Sequence, residues 1–315
     1  MRSSNLSGKL VVLFGGSGFI GNYVAQSLLE RGARLRLVSR DPQKADRLKP
    51  LANLGQMQLV PGNILNDRSL AAALKGADGV VNLVGAFDGN LERLMGTVPG
   101  EMARIAANEG ATGFVHLSAS AANPSGETEY ARAKALGERL VLQHFPAATI
   151  LRPTIVFGQD DNFLNMFAQL IQWFPVLPVF GPDSRLQLAY VDDVAEAAAA
   201  ALMDAGKHGG RTYELGGPDV LTMMQINRRI AAAQNRRRTF IPVPDPASAI
   251  FAKLPGTPMS TAQWKMLKRG SVVSGQHPGF GELGITPRPL DLFLDDWMTR
   301  YRRSGRFAKQ TGYVR

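Results

Sequence analysis

With 315 residues and an apolar fraction of 45%, the chain is long enough to bury a sizeable core in one large or two smaller domains. It contains no cysteine, which excludes a disulfide framework, a thiolate metal centre and a cysteine nucleophile. The net charge of +10 asks for an anionic partner or an extended solvated face, and no uninterrupted apolar run approaches the roughly 18 residues of a membrane span.

The first strand is expected about eight residues in, with no charged-then-apolar leader ahead of it, so a soluble or peripheral protein is expected. Leu10 to Phe14 is apolar throughout, as in a parallel strand buried on both faces, and Ile20, Val24 and Leu28 then recur at helical spacing. Between them lies Gly15-Gly16-Ser17-Gly18-Phe19-Ile20-Gly21. Gly15 permits a tight turn, Gly18 lets backbone approach a pyrophosphate, and Gly21 lets the helix pack close to the strand. Ser17, Phe19 and Ile20 complete a dinucleotide clamp at a helix N-terminus.

Arg34 to Ser39 is the second strand, whose end meets the adenosine ribose. An acidic residue there suits NAD(H), whereas this chain has Ser39 and Arg40, with Lys44 close behind. Arginine can fork onto a 2′-phosphate, so NADP(H) is favoured and NAD(H) is the weaker alternative. Asp41 is expected to cap a helix starting at Pro42, with Ala45, Leu48 and Ala52 on its buried face.

Met57 to Val60 is a third strand, and Asn63 and Ile64 beyond it are placed at the adenine. A helix begins at Asp67. Gly79 to Val84 is a fourth strand, where Val84, Gly85 and Ala86 leave room for a cofactor. A helix follows from Pro99 to Glu109, and Phe114 to Leu117 is a fifth strand with Leu117 and Ser118 at its cofactor edge. His116 reads as a strand residue, not as an acid or base. Strands with helical crossovers imply an α/β fold, a doubly wound parallel (Rossmann) sheet with ligands at the carboxyl ends of its strands.

Tyr130 and Lys134 stand four apart on one face of the next helix. A lysine ammonium beside a phenol lowers its pKa and can hold a ribose, which leaves tyrosine as a general acid or base toward a carbonyl or alcohol. With the glycine turn, Tyr130-Ala-Arg-Ala-Lys134, Leu151 to Gly158 and Tyr190 to Ala195, the chain resembles an extended, atypical short-chain dehydrogenase/reductase over roughly its first 200 residues. The resemblance implies that Arg152 and Pro153 end the sixth strand near the nicotinamide, and that residues after it and the C-terminal third form a smaller, mostly helical lid.

Within that family, Phe145 to Pro153, Phe157 to Asn165 and Gly281 to Ile285 with Pro287 are similar to the nucleotide-binding accessory subunit of respiratory complex I and its bacterial relatives. This subgroup implies tight NADPH binding, no known turnover, complex I subunits as partners, and a place near the membrane: the bacterial cytoplasm, peripheral to the inner membrane, or the matrix side if organellar. Active family members hold the substrate oxygen with a serine or threonine just beyond the fifth strand, and Ala119 is expected at that position, unable to donate, with Ser118 and Ser120 beside it. Asn63 replaces an aspartate often found there.

The implied division is a core dinucleotide-binding domain over residues 1–158, a lid insertion over 159–185, a return to the core over 186–220, a substrate or lid region over 221–302, and a basic tail over 303–315. The aromatic stripe between Asn162 and Phe174 is read as packing, and prolines between Phe240 and Pro258 argue for loops or short elements. Leu290, Phe293, Leu294, Trp297 and Tyr301 mark an amphipathic helix. Arg228, Arg229, Arg236, Arg237 and Arg238 cluster, and Arg300 to Arg315 carries six basic and no acidic residues. These runs suit anionic lipid or acidic partners, or a solvated face; no nucleic-acid fold accompanies them, and no metal is expected.

The leading expectation is an NADP(H)-binding accessory or assembly subunit of NADH:quinone oxidoreductase with little or no turnover, its basic tail toward anionic membrane. The alternative is an NADPH-dependent oxidoreductase or epimerase for a quinone-like, isoprenoid, steroid or sugar-nucleotide substrate, with Tyr130 and Lys134 catalytic. A weaker third is a redox sensor.

Overall fold

Leu10–Phe14 forms β1 at the middle of a seven-stranded sheet, and Val11 to Phe14 are fully buried. The computed structural model describes residues 6–252 and 261–303. Arg306, Lys309 and Arg315 of the basic tail lie outside the described residues.

The chain divides into two compact units, Met1–Val156 with Ala189–Gly216 and Val273–Pro287, and Phe157–Leu188 with Gly217–Val272 and Arg288–Arg315. The first holds the sheet. Its strands β2 (Arg34–Ser39), β3 (Met57–Pro61), β4 (Gly79–Asn82), β5 (Gly113–Leu117), β6 (Thr149–Pro153) and Thr212–Leu215 join β1 in the order Thr212–Leu215, β6, β5, β4, β1, β2, β3, all pairs parallel. The doubly wound expectation is met. Strand order reverses at β1, the switch point where such sheets open a crevice at their carboxyl edge.

Both faces of the sheet are covered. On one, α1 (Phe19–Glu30) and the helix Val191–Met203 pack Val24, Leu28, Val194 and Ala198 against Leu13, Leu35 and Leu151. On the other, α2 (Asp67–Leu74), α3 (Val98–Asn108) and α4 (Glu129–His144) pack Leu70, Met102 and Val141 against Val12, Phe14 and Ile150. Burial of several such side chains, each contributing roughly 1.5–3 kcal/mol, sets α4 firmly on the sheet.

Two local expectations differ from what is found. β4 ends at Asn82, not Val84, because the Asn82 side chain turns back and its Oδ1 accepts from Val84 N–H at 3.1 Å. Pro42–Leu51 is 3-10 helical, with Pro50 inside it and no capping bond from Asp41. Ahead of α3, Glu92–Thr97 winds as a π-helix, a form often associated with functional sites. This segment lies against α4 so closely that a Cβ on Gly137 would stand 2.1 Å from the Met95 carbonyl oxygen. Glycine at 137 therefore fixes the position of the helix that carries Tyr130 and Lys134.

In the second unit, α5 (Phe163–Trp173) packs on the helix Met223–Ala233, whose N-terminus has a full capping box between Thr222 and Gln225. Val176–Phe180 and Thr239–Val243 pair as a short parallel ribbon. The amphipathic run expected from Leu290 to Tyr301 is α-helical only over Asp291–Trp297 and tightens to 3-10 over Met298–Tyr301.

Candidate functional site

At the switch point the glycine turn is fixed by two positions. Gly15 has φ +77, and a Cβ there would meet the Leu83 backbone at 3.0 Å; a Cβ on Gly21 would lie 2.3 Å from the Gly15 carbonyl oxygen. These two glycines serve the protein's own packing. Gly18 differs: a Cβ would meet only the Gly15 oxygen at 3.3 Å, so the space beyond it is open. Gly18 is also the N-cap of α1 and has no side chain to satisfy the first-turn N–H groups ending at Phe19, Ile20 and Gly21. An open cradle with oriented N–H donors fits a pyrophosphate.

Ser17 Oγ and Ser39 Oγ lie 3.2 Å apart, linking the glycine turn to the end of β2. Ser39 Oγ also donates to the Asp41 carbonyl at 3.0 Å and accepts from Asp41 N–H at 3.2 Å. Arg40 is exposed beside this pair, and Lys44 reaches Asp41 at 3.8 Å. The structure adds Arg47, which sequence reasoning did not single out: its Nε donates to Asn22 Oδ1 at 3.0 Å, and Asn22 in turn bonds the Gly18 carbonyl. Its only sequence signal was another cation a few residues after β2.

Asn63 is exposed beyond β3, but its Oδ1 accepts from Leu65 N–H at 3.0 Å, which leaves its amide NH₂ for a ligand. Ile64 packs on the core face shared with Val38. Next along the sheet edge, a Cβ on Gly85 would meet nothing within 4 Å, and Ala86 N–H points to Met95 Sδ at 3.5 Å.

Lys134 is buried and donates to the Leu117 carbonyl at 2.9 Å and the Val84 carbonyl at 3.4 Å. It thereby ties α4 to the ends of β5 and the β4 loop. Burial pulls its pKa down to about 8, against a smaller upward effect of Glu138. One turn earlier, half-buried Tyr130 stacks on Phe87 with centroids 5.1 Å apart and planes at 15°. The expected lowering of the phenol pKa is not found. Burial among Leu91, Leu94, Met95 and Ala133, which disfavours the charged phenolate, pushes it up to about 12.

Ser118 N–H donates to the Leu151 carbonyl at 2.7 Å, while the buried Ser118 hydroxyl has no partner. Ala119, beside it, presents only a methyl group. Behind Lys134, fully buried His116 receives a hydrogen bond from Asn82 Nδ2 at its Nδ1, 3.1 Å away, which places the ring proton on Nε2. Burial, then the charge of Lys134, pulls its pKa down to about 3, so it is neutral at physiological pH.

Arg152 stands at the end of β6 beside Pro153, but its guanidinium is committed: Nε and Nη2 bond the two Glu138 carboxylate oxygens at 2.8 and 2.6 Å, and Nη1 lies 3.2 Å from His277 Nε2. The structure thus gathers the glycine turn, Ser39, Arg40, residues 84–86, 117–118, Tyr130, Lys134 and the end of β6 along one sheet edge, while occupying Arg152 internally. Among the described residues no group of three or more potential ligands could hold a metal ion, and no helix is long and apolar enough to cross a membrane.

A doubly wound sheet with an open glycine cradle at its switch point, followed by a Tyr and Lys one turn apart on the helix after β5, is the architecture of an NAD(P)-binding epimerase or reductase. The chain belongs to the NAD dependent epimerase/dehydratase family, whose pattern spans residues 11–216. It is 29% identical to the mitochondrial NADH dehydrogenase (ubiquinone) 1 alpha subcomplex subunit 9 of Arabidopsis thaliana, over 96% of this chain and 80% of that one. It is also 29% identical to a ceramide reductase of Caulobacter vibrioides, over 75% of this chain and 74% of that one. Its fold matches an NADPH-dependent quinone oxidoreductase from Escherichia coli solved with NADPH, with a TM-score of 0.73 at 19% identity, covering 90% of this chain and 98% of that one.

Proposed function

We propose that this protein is an NADP(H)-holding accessory subunit of an NADH:quinone oxidoreductase assembly, with little or no turnover. The observation that carries this reading is the contrast between the two halves of the site. The cradle at Gly18 and the uncapped α1 terminus suit a dinucleotide, whereas burial pushes the Tyr130 phenol up to about 12 and Lys134 directs two of its three N–H donors to the Leu117 and Val84 carbonyls.

Gly18 with Ser17, Phe19 and Ile20 would hold the pyrophosphate on a turn shaped by Gly15 and Gly21; Ser39 and Arg40 the ribose 2′-phosphate; Asn63 and Ile64 the adenine; and Val84 to Ala86, Leu117, Ser118, Tyr130 and Lys134 the nicotinamide half, with Pro153 and the internally paired Arg152 at its edge. Bound NADPH supplies a hydride donor. Ala119 offers no hydroxyl to polarise a carbonyl beside it, and losing one such donor reduces rate by roughly a hundredfold or more. The nucleotide then acts chiefly as a folding ligand, adding roughly 4 kcal/mol at a thousandfold excess over Kd. Likeness to complex I subunits supports the partner, and the basic tail supports a place beside an anionic membrane on the bacterial cytoplasmic or the matrix side.

A second reading, an NADPH-dependent reductase or epimerase, draws on the retained Tyr130–Lys134 spacing and on the apolar wall of Leu91, Leu94 and Met95 beside the phenol. To decide, the purified protein is denatured, the released nucleotide identified, and NADPH oxidation followed with quinones, long-chain ketones and sugar nucleotides. Released NADP(H) without turnover supports the accessory role; turnover lost in Tyr130→Phe overturns it. Co-purification with complex I subunits from native membranes tests the partner.

A further inference from the structure

Two stretches of the second unit, residues 163–182 and 220–244, contain no acidic residue, and the second carries five arginines, of which Arg229 is paired with Asp291 at 2.6 Å. The fold brings them together: α5 packs on the helix Met223–Ala233, and Val176–Phe180 pairs with Thr239–Val243. Helical periodicity divides α5 into two faces. Leu164, Ala168 and Ile171 are buried, while Met166, Leu170 and Trp173 form an exposed stripe that Phe174 continues; Trp173 is 76% and Phe174 53% exposed. Val176 and Ile241 extend the apolar area onto the paired strands, whose alternate residues Leu177 and Val179 are buried.

Cations flank the C-terminal end of this stripe. Arg238 donates from Nε to the Ile171 carbonyl at 2.7 Å and from Nη2 to the Gln172 carbonyl at 3.3 Å, which holds its charge at the end of α5 beside Trp173. Arg237 is exposed next to it. Burial, followed by the like charges of Arg238 and Arg303, lowers the pKa of Arg236.

We propose that the exposed face of α5 is a docking surface for an anionic phospholipid bilayer, with Met166, Leu170, Trp173 and Phe174 entering the headgroup–acyl boundary and Arg237 and Arg238 meeting lipid phosphates. The charge pattern selects the occupant. Exposed Trp173 and Phe174 beside Arg237 and Arg238, on stretches that themselves carry no acid, complement an anionic plane with an apolar interior, and tryptophan beside arginine suits the membrane interface. The surface is built from α5 and the paired strands, and the proposal does not depend on what the nucleotide does.

The test uses the intact protein with phosphatidylcholine vesicles, with and without phosphatidylglycerol, read by co-flotation and by quenching of tryptophan fluorescence from brominated acyl chains. Binding is expected only with phosphatidylglycerol, and the quenching should disappear in Trp173→Phe. Trp173→Ser with Phe174→Ser weakens binding about tenfold or more, and Arg237→Glu about fivefold or more, with circular dichroism unchanged. Deleting residues 304–315 leaves the α5-dependent binding in place. The proposal is overturned by no binding to anionic vesicles, by equal binding of the double variant, by binding that vanishes with the tail alone, or by a Trp173-dependent complex with an acidic protein where vesicles are ignored.

Discussion

The Lys134 ammonium on α4 donates to the carbonyl oxygen of Leu117 at the end of β5, 2.9 Å away, and this bond joins the helix of the candidate site to the sheet edge. Replacing Lys134 by Met leaves that carbonyl and the more distant Val84 carbonyl without their donor. A loss of about 2–3 kcal/mol in stability is expected from denaturant titration. The loss also depends on pH. The folded pKa of about 8 lies below the ordinary 10.5, so the unfolded chain binds the extra proton between them. Stability of the native protein relative to Lys134→Met therefore rises from pH 8 to about 10, and parallel pH profiles would count against the buried ammonium.

His116 makes an acid-side prediction. Its folded pKa of about 3 is depressed from 6.5, so its contribution is complete above pH 6.5 and is lost as pH falls toward 3. Each pH unit in that window costs up to about 1.4 kcal/mol. Thermal melts of His116→Gln should show a shallower acid decline than the native protein over the same range.

Gly18 and Gly21 separate binding from folding. Gly21→Ala forces a Cβ to 2.3 Å from the Gly15 oxygen and should cost roughly 1–3 kcal/mol of stability. Gly18→Ala meets only that oxygen at 3.3 Å, so the chain should fold normally yet bind NADPH about tenfold or more weakly as its methyl group enters the phosphate path. Melting temperature and nucleotide titration on both variants check the contrast.

Arg40→Asp tests cofactor choice. Loss of the guanidinium and gain of a carboxylate should weaken NADPH about tenfold or more while leaving NADH unchanged or tighter. Equal weakening of both nucleotides in calorimetric titration would defeat the 2′-phosphate role.

Arg152 and Glu138 form a bidentate pair in which the carboxylate side chain is only 8% exposed. Arg152→Met strands that carboxylate and should cost about 3 kcal/mol or more, whereas Arg152→Met with Glu138→Met should recover most of it. Chemical denaturation of the single and double variants measures the recovery.

The sheet was legible because its signal is local. Strand-like runs such as Leu10 to Phe14 and Phe114 to Leu117, separated by helical periodicity, admit few arrangements other than a doubly wound parallel sheet. The turn back at Asn82 was not legible, because it depends on a side chain reaching its own backbone. The π-helical turn before α3 was hidden for a similar reason: its close approach at Gly137 is a contact between residues about forty positions apart. The stripe on α5 was read as packing, yet Met166, Leu170 and Trp173 are exposed while Leu164, Ala168 and Ile171 are buried. Periodicity reveals that a helix has faces, not which one the fold covers.

By itself the sequence determined the doubly wound parallel class of the sheet, the glycine turn after its first strand and the Tyr130–Lys134 spacing, because each is a matter of residue type at short separation. Only the tertiary structure decided what those groups can do. It buried the Tyr130 phenol and raised its pKa, bonded Lys134 to two carbonyls, locked Arg152 onto Glu138 and brought Arg238 to the end of α5. Proton affinity and free valence depend on neighbours distant in the chain, and those neighbours exist only once the chain has folded.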